Sequence, residues 1–432
     1  MGGKSVFSMG NLVLVAGLIS LMNFASQENF PIIVLTYAIS FLGYALILRS
    51  QWKPTLYWPI AIAGLSCLVF FPNLSDDIYR FYWDGALVLK SISPYSETPT
   101  ALMLSLDDET LKSIYPLLNS PEYYSIYPPV CQAFYVSASL VSKDIASFSL
   151  ILKSIYLGFH LLGYYFFRRM QNNASTLQGI SPSLYFLNPL VLAEGIGNLH
   201  IEIVMISFLI IFYYFLSSEK MLFAALGFAA AIAVKLLPLI LLPYLVFQYK
   251  KPRFFIYLFA FTFVMFVPLL WGFDFIHLSK SANLYFQKFE FNASVYYLLR
   301  YVGKLLSGYN LILYIGPLLG LITFLLIIRK SIKTDFHSLW NHWHLGLFAF
   351  TIFLLLATTV HPWYVMTIVF FGMCTGARYP IFWSFVIVLS YAHYAGGVYQ
   401  EDYALIALEY AMTAGAFWLF DKKLWLKVVP VS

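Results

Sequence analysis

Apolar segments close to 20 residues long recur along almost the whole chain, and a bilayer crossing needs about that length of helix. They fall near residues 6–25, 30–48, 55–73, 128–142, 146–167, 180–194, 200–217, 221–247, 255–271, 309–328, 343–360, 361–376, 379–395 and 403–420. A mean hydropathy of +0.76 and a charged fraction of 11% exclude an ordinary soluble domain. The spacing predicts an all-α polytopic membrane protein with 11 to 14 transmembrane helices, organised as one domain over 1–432. Several segments are short or interrupted by proline (Pro189, Pro238, Pro243, Pro317, Pro362). Half-helices buried inside the protein are therefore expected among them.

The basic residues orient the spans. Lys4, Arg49, Lys53, Arg168, Arg169, Lys220, Lys250, Lys251, Arg253, Arg329, Lys330, Lys333, Arg378, Lys422, Lys423 and Lys427 fall on one side, which is 16 of the 26 basic residues. Only Glu219, Asp335 and Asp421 accompany them. An excess of lysine and arginine marks the cytoplasmic face. The opposite face then receives a loop over 74–127 and a second over 272–308. Alternation requires 128–142 to be a partial or tilted helix. It also requires 221–247 to break near Lys235-Leu236-Leu237-Pro238, where proline removes a backbone donor. Within the first loop, Ile78 to Ile92 reads as an interfacial helix ended by Ser93-Pro94, and Asp107 to Leu118 as a second. Nothing at the N-terminus reads as a cleavable signal, since Met1 to Gly10 carries one lysine and leads straight into a span.

On this topology five polar motifs share the extracytoplasmic face. They are Asp76-Asp77, Ile126-Tyr127-Pro128-Pro129, Gly197-Asn198-Leu199-His200, the 272–308 loop, and His361-Pro362-Trp363-Tyr364. Ionisable residues at a membrane edge are costly and mark functional sites. The acid pair opens the longest charge-rich stretch. Two readings of it stand side by side: Asp76 caps a helix while Asp77 is solvated, or one of them accepts a proton as a general base. Mutual repulsion and burial raise carboxyl pKa values, which suits a base. Arg300 follows Tyr296-Tyr297-Leu298-Leu299 and either needs an anionic partner or snorkels to the interface. Lys280 and Lys288 lie in the second loop, facing an anionic substrate or merely solvent. His200 and His361 are hydrogen-bonding candidates whose structural alternative is an interfacial histidine. Lys235, embedded in apolar sequence, either pairs with a lipid phosphate or snorkels.

Other chemistries lack their motifs. There is no phosphate-binding glycine loop, HExxH, CxxC or GxSxG. Cys67, Cys131 and Cys374 sit apart in apolar runs and read as small buried residues. The formal charge of +6 is a topology signal and carries no implication of nucleic-acid binding.

The stretch Ser75-Asp76-Asp77-Ile78-Tyr79-Arg80-Phe81-Tyr82-Trp83-Asp84-Gly85 is followed in order by a set of shorter motifs. These are Ile92-Ser93-Pro94-Tyr95, Ile126-Tyr127-Pro128-Pro129, Leu187-Asn188-Pro189-Leu190, Gly197-Asn198-Leu199-His200, Val234-Lys235-Leu236-Leu237-Pro238, Phe289-Glu290-Phe291-Asn292 and His361-Pro362-Trp363-Tyr364. Over roughly 70–376 this series resembles the bacterial polyprenyl-phosphate-sugar-dependent mannosyltransferases of the GT-C superfamily, glycosyltransferase family 87 and its relatives. The resemblance implies a GT-C-type membrane enzyme of the bacterial inner membrane. It would move a hexose, mannose above all, from a polyprenyl-phosphate carrier to a glycan, glycolipid or protein hydroxyl on the extracytoplasmic face.

The base role then falls on Asp76, with Asp77 as second candidate. Arg300, His361, Lys288, His200 and Arg80 are the candidates for the donor phosphate. Asn198, Asn292, Tyr127, Trp363 and Tyr364 are the candidates for the rest of the substrate. Inversion at C1 follows from attack opposite the phosphate. No metal or further cofactor is expected, because a lipid monophosphate leaves as a stable anion. Three apolar runs precede the acidic loop where the family has one. The family's GNGHND-like stretch reads Gly197-Asn198-Leu199-His200-Ile201-Glu202, which puts a direct role for Glu202 in doubt. The competing class is a transporter or flippase of lipid-linked sugars, which also uses broken helices and intramembrane charges.

Overall fold

The protein is seen in a computed structural model that describes residues 2–50, 52–173, 177–272, 289–335, 338–397 and 399–423. The described residues are 76% helical and contain no strand, only one isolated bridge between Phe291 and Thr359. Among the described residues seven helices are long and apolar enough to cross a membrane, and a bent pair counted as one span makes eight. Five further apolar helices, of 10–17 residues, are shorter than that test requires, so the candidate spans number fewer than the 11 to 14 read from hydropathy.

The first two helices, α1 (Gly3–Phe24) and α2 (Phe30–Arg49), form a tight hairpin. Small residues let their backbones meet: a Cβ at Gly17 would stand 2.5 Å from the Ser40 amide nitrogen. A short helix α3 (Tyr57–Leu68) then leads to the first loop. The buried Lys153 caps it, donating to the carbonyls of Cys67 and Phe70 at its C-terminal end.

Helix α4 (Asp77–Leu89) stops three residues before the predicted Ile92. The reason is a Schellman ending. Ser91 turns left-handed at φ 60°, its N–H donates to the Val88 carbonyl at 2.9 Å, and Ile92 N–H donates to the Leu87 carbonyl at 3.0 Å. Two short helices follow, α5 (Pro99–Leu102) and α6 (Glu109–Ile114), the latter capped by Asp108 Oδ1 accepting from Leu111 N–H at 2.8 Å. Trp83, Leu87, Leu102, Leu111, Ile114 and Leu118 form a small core of their own, while Ile78 and Phe81 on α4 join the main core. The first loop is therefore a folded layer seated on the bundle by its leading helix. Gly85 makes that seating possible, since a Cβ there would meet the Tyr135 carbonyl oxygen at 2.8 Å.

Helix α7 (Pro129–Val141) has 13 residues, the partial helix expected, with Pro129 in its first turn. After the 29-residue α8 (Ile145–Asn173) and the single turn α9 (Ser183–Phe186), a π-helical stretch Val191–Gly197 meets α10 (Glu202–Ser217) at 109°. Helix α11 (Met221–Val234) ends where the sequence predicts a break. Lys235 is extended at φ −155°, ψ 134°, and Pro238 sits in the following 3-10 turn Leu237–Leu241, before α12 (Leu242–Gln248). The remaining helices are α13 (Pro252–Phe266), α14 (Val295–Ser307), α15 (Ile312–Lys333), α16 (Leu339–Leu356), α17 (Val365–Thr375), α18 (Tyr379–Val386) and α19 (Tyr403–Ala416). Helix breaks before α4, before α10, after α11 and before α17 all deliver polar residues to one place.

Candidate functional site

The acid pair starts the site. Asp76 occupies the cap position of α4, yet its carboxylate accepts no capping hydrogen bond. Ser75 Oγ takes the Asp77 N–H instead, at 3.3 Å. Asp77 Oδ1 accepts from Asn119 Nδ2 at 2.9 Å, while the Asp76 side chain is exposed. Partial burial, and then the neighbouring Asp77 charge, raise the Asp76 carboxyl above the usual carboxylate range.

Two asparagines hold the pair in place. Asn73 Nδ2 donates to the carbonyls of Leu21, Met22 and Ala25 at the end of α1, at 2.9, 3.1 and 2.6 Å. Asn198 Oδ1 accepts from the Asn73 and Leu74 amides at 3.3 and 3.1 Å, and Asn198 Nδ2 donates to the Ala193 carbonyl at 3.2 Å. Asn198 is buried at 1% exposure, so its contacts are those of an anchor for the acidic loop. Arg80 is likewise buried. Its Nε meets Asp84 Oδ1 at 2.8 Å, and Nη1 donates to the carbonyls of Ser120 and Tyr123. Ser125 Oγ and Gln132 Nε2 fill Asp84 Oδ2, which makes Asp84 the knot of the folded loop. Tyr127 accepts at its carbonyl from Tyr95 and sets its ring edge-on to Phe81 and Tyr135.

The histidines converge through their rings. His200 lies 3.5 Å from Trp363, centroid to centroid, at 14°, and Trp363 lies 4.4 Å from His361 at 6°. Phe291 extends the stack at 4.7 Å on His361. Trp363 thus has a histidine on each face and offers a ligand only its edge. His200 Nε2 stands 3.2 Å from Glu194 Oε2, in ionic reach though not aligned as a hydrogen bond, and Tyr391 donates to Glu194 Oε1 at 2.7 Å. In the linker between α16 and α17, burial first, then the fields of His200 and Lys235, push the His361 imidazole down to about 3. His361 is therefore neutral near pH 7 and suited to hydrogen bonding rather than to ion pairing.

Lys235 enters at the break after α11. It pairs with Glu202, the first residue of α10, and its ammonium stands 4.7 Å from the centre of the Tyr364 ring. The Tyr364 hydroxyl feels both Glu202 and Asp77, and Tyr394 feels Asp77, Asp76 and Glu401. Tyr364 sets its ring edge-on to His361 and Tyr394 lies 5.7 Å from Phe291, so both adjoin the stacked rings.

Arg300 and Asn292 make their contacts with Glu290 and with residues 401–410. Arg300 pairs with Glu290, donates to the Tyr403 hydroxyl at 2.6 Å and lies over the Tyr297 ring. Asn292, left-handed at φ 48°, donates its N–H to Glu401 Oε1 at 3.0 Å and its side-chain amide to Glu409, and its carbonyl accepts from the Tyr410 hydroxyl. A largely apolar cavity of about 930 Å³ opens beside them, between α14, α16, α18 and α19, with Arg300 and Lys304 in its wall. Lys280 and Lys288 lie outside the described residues. Among the described residues no three His, Cys, Asp or Glu side chains group as metal ligands.

The structure therefore brings Asp76, Asp77, His200, His361, Trp363 and Tyr364 together. It holds Arg80 and Asn198 in supporting contacts, and places Arg300 and Asn292 at the adjoining cavity. Asn73, Glu194, Phe291, Tyr391, Tyr394 and Glu401 join the site without having been singled out in the sequence. Only Phe291 carried a signal, as a neighbour inside a motif, while Asn73 stands two residues before the acidic one.

Comparison with curated proteins and with solved structures gives no match. A family model does match, described as "Alpha-(1->6)-mannopyranosyltransferase, N-terminal domain", over residues 6–251. That span is more than half of the 432 residues and contains the acid pair, both asparagine anchors, His200, Glu202 and Lys235. The chain belongs to the alpha-(1→6)-mannopyranosyltransferase family and is a membrane mannosyltransferase.

Proposed function

We propose that this mannosyltransferase takes its mannosyl group from a polyprenyl-phosphate carrier and passes it to an acceptor hydroxyl on the extracytoplasmic face, with Asp76 as general base. The observation that carries the reading is a carboxylate at a helix cap position that caps nothing, is exposed, and is raised by its surroundings. Such a group is spared structural work and tuned toward a proton acceptor. In the step, the acceptor oxygen bonds to C1 as its proton passes to Asp76. The bond from C1 to the phosphate oxygen breaks, and its electron pair leaves on the lipid phosphate. Attack opposite the phosphate inverts C1. The lipid monophosphate is a good leaving group, so no strong acid is required. Asp77, held by Asn119, keeps the basicity of Asp76 high. His361 offers a neutral ring edge beside the reacting groups. The cavity at α14 and α19 has the apolar lining and size that a prenyl chain needs.

Transfer of radiolabelled mannose from synthetic polyprenyl-phosphate mannose tests this directly. Asp76→Asn is expected to lower kcat by roughly 10²–10⁴-fold, the usual contribution of a general base. Undiminished transfer by that variant removes the base assignment. An inactive wild type with every lipid-linked sugar removes the donor assignment.

A further inference from the structure

The leaving phosphate needs a cation, and five of the described side chains offer themselves: Arg80, Arg300, His200, His361 and Lys235. Arg80 is 5% exposed, with three of its five N–H donors spent on Asp84 and two carbonyls. Arg300 is 14% exposed and bound to Glu290 and Tyr403. His200 is 3% exposed, with Nε2 3.2 Å from Glu194 Oε2 and its ring stacked on Trp363. His361 is 9% exposed and stacked between Trp363 and Phe291. Lys235 differs in each respect. Its side chain is 29% exposed although its partner Glu202 is 1% exposed, so the pair has a buried acidic end and an open cationic end. An ammonium has three donors, and among the described residues Glu202 alone is a hydrogen-bond partner of this one.

The position is also costly. The chain breaks a span to place Lys235 at the end of α11 and bends another by 109° to place Glu202 at the start of α10. A buried ion pair contributes little net stability, so two broken helices are not explained by it. Tyr364 lies against the ammonium and edge-on to His361, and Asn198, four residues before Glu202, is hydrogen-bonded to the Asn73 and Leu74 amides just ahead of the acid pair.

Resting on the lipid-phosphate donor reading, we infer that Lys235, held by Glu202, is the cation that binds the donor's phosphate and takes up its charge as the sugar departs. The lysine donates to the phosphate oxygens, and Glu202 fixes its direction from behind. Glu202 thus serves as a positioning residue, although the motif around it departs from the family pattern.

The test uses the purified full chain in detergent and two probes, a short isoprenyl monophosphate and the corresponding isoprenol. Binding is read from tryptophan fluorescence and by calorimetry. Lys235→Gln is expected to weaken the monophosphate by about ten-fold or more, as loss of a charge-assisted hydrogen bond does. The isoprenol should be unaffected and Lys235→Arg should restore most of the affinity. Equal loss for both probes, or unchanged monophosphate affinity, overturns the inference. Should Lys235→Gln not fold, Glu202→Gln decides. With its competing charge gone, phosphate affinity should change several-fold while isoprenol affinity stays constant, and no change overturns the assignment. A wild type that binds the monophosphate but transfers no mannose sinks the donor reading alone. A wild type that transfers mannose while Lys235→Gln binds the monophosphate normally sinks only the role of Lys235.

Discussion

Asp76 and Asp77 are adjacent, yet one is tied to Asn119 and the other is left open at the helix cap. Because burial and the Asp77 charge raise the Asp76 pKa, Asp76 stays protonated to higher pH than an ordinary aspartate. A base works only when deprotonated, so the acid limb of kcat/KM should rise as pH passes upward through that raised value. Asp77→Asn removes the second cause and leaves the first. Its acid limb should move to lower pH, with activity retained above it. A pH–rate profile of the two proteins checks the sign, and an unmoved limb means Asp77 does not set the basicity. The acid pair was legible in the sequence because two charges at the edge of an apolar run stand out against 11% charged residues. The capping alternative fails for a reason no sequence shows: Ser75, not Asp76, turns its oxygen to the first free amide.

At the scale of elements, the site is made by helices that stop. The break at Lys235-Pro238 and the short α7 follow from proline and from charge alternation, and both were readable. The bend before α10 was not. It rests on Leu199, a bulky residue held left-handed at φ 64° and fully buried, which costs on the order of 1–3 kcal/mol and survives only where surrounding contacts enforce it. The adjoining Asn198 is fixed by accepting from the Asn73 and Leu74 amides, some 125 residues earlier. No local pattern encodes a hydrogen bond across that separation. Asn198→Ala would leave the two loop amides unpaired. It is expected to cost about 1–3 kcal/mol of stability. It should also lower kcat, since the amides precede Asp76 by two and three residues. The donor KM should change little, because the phosphate side is untouched. Thermal unfolding together with initial rates measures both. Wild-type kcat in a destabilised variant would separate the anchor from catalysis.

Across the whole molecule, the region matched by the family model ends at residue 251, but the ring stack does not. Phe291 and His361 complete it, and both come from the C-terminal part of the chain. Phe291 is fixed in two ways. Its backbone bonds to Thr358 and Val360 at 3.1 and 2.8 Å, and its neighbour Asn292 is gripped by Glu401, Glu409 and Tyr410. Glu409 lies fully buried in α19 and also accepts from Trp383 Nε1 at 2.9 Å. One buried carboxylate therefore joins α18, α19 and the segment that presses a ring onto His361. Glu409→Leu leaves the Trp383 and Asn292 donors unpaired, at a cost of about 1–3 kcal/mol each. Glu409→Gln keeps an acceptor for Trp383 and, with Asn292 turned over, a partner for its amide. The leucine variant should lose stability and roughly ten-fold or more in kcat, as a small misplacement of reacting groups can cost. The glutamine variant should stay near wild type in both. If the leucine variant unfolds earlier yet turns over normally, α19 supports the bundle without setting the site. If both variants lose rate equally, the charge of Glu409 rather than its hydrogen bonds acts on the reaction.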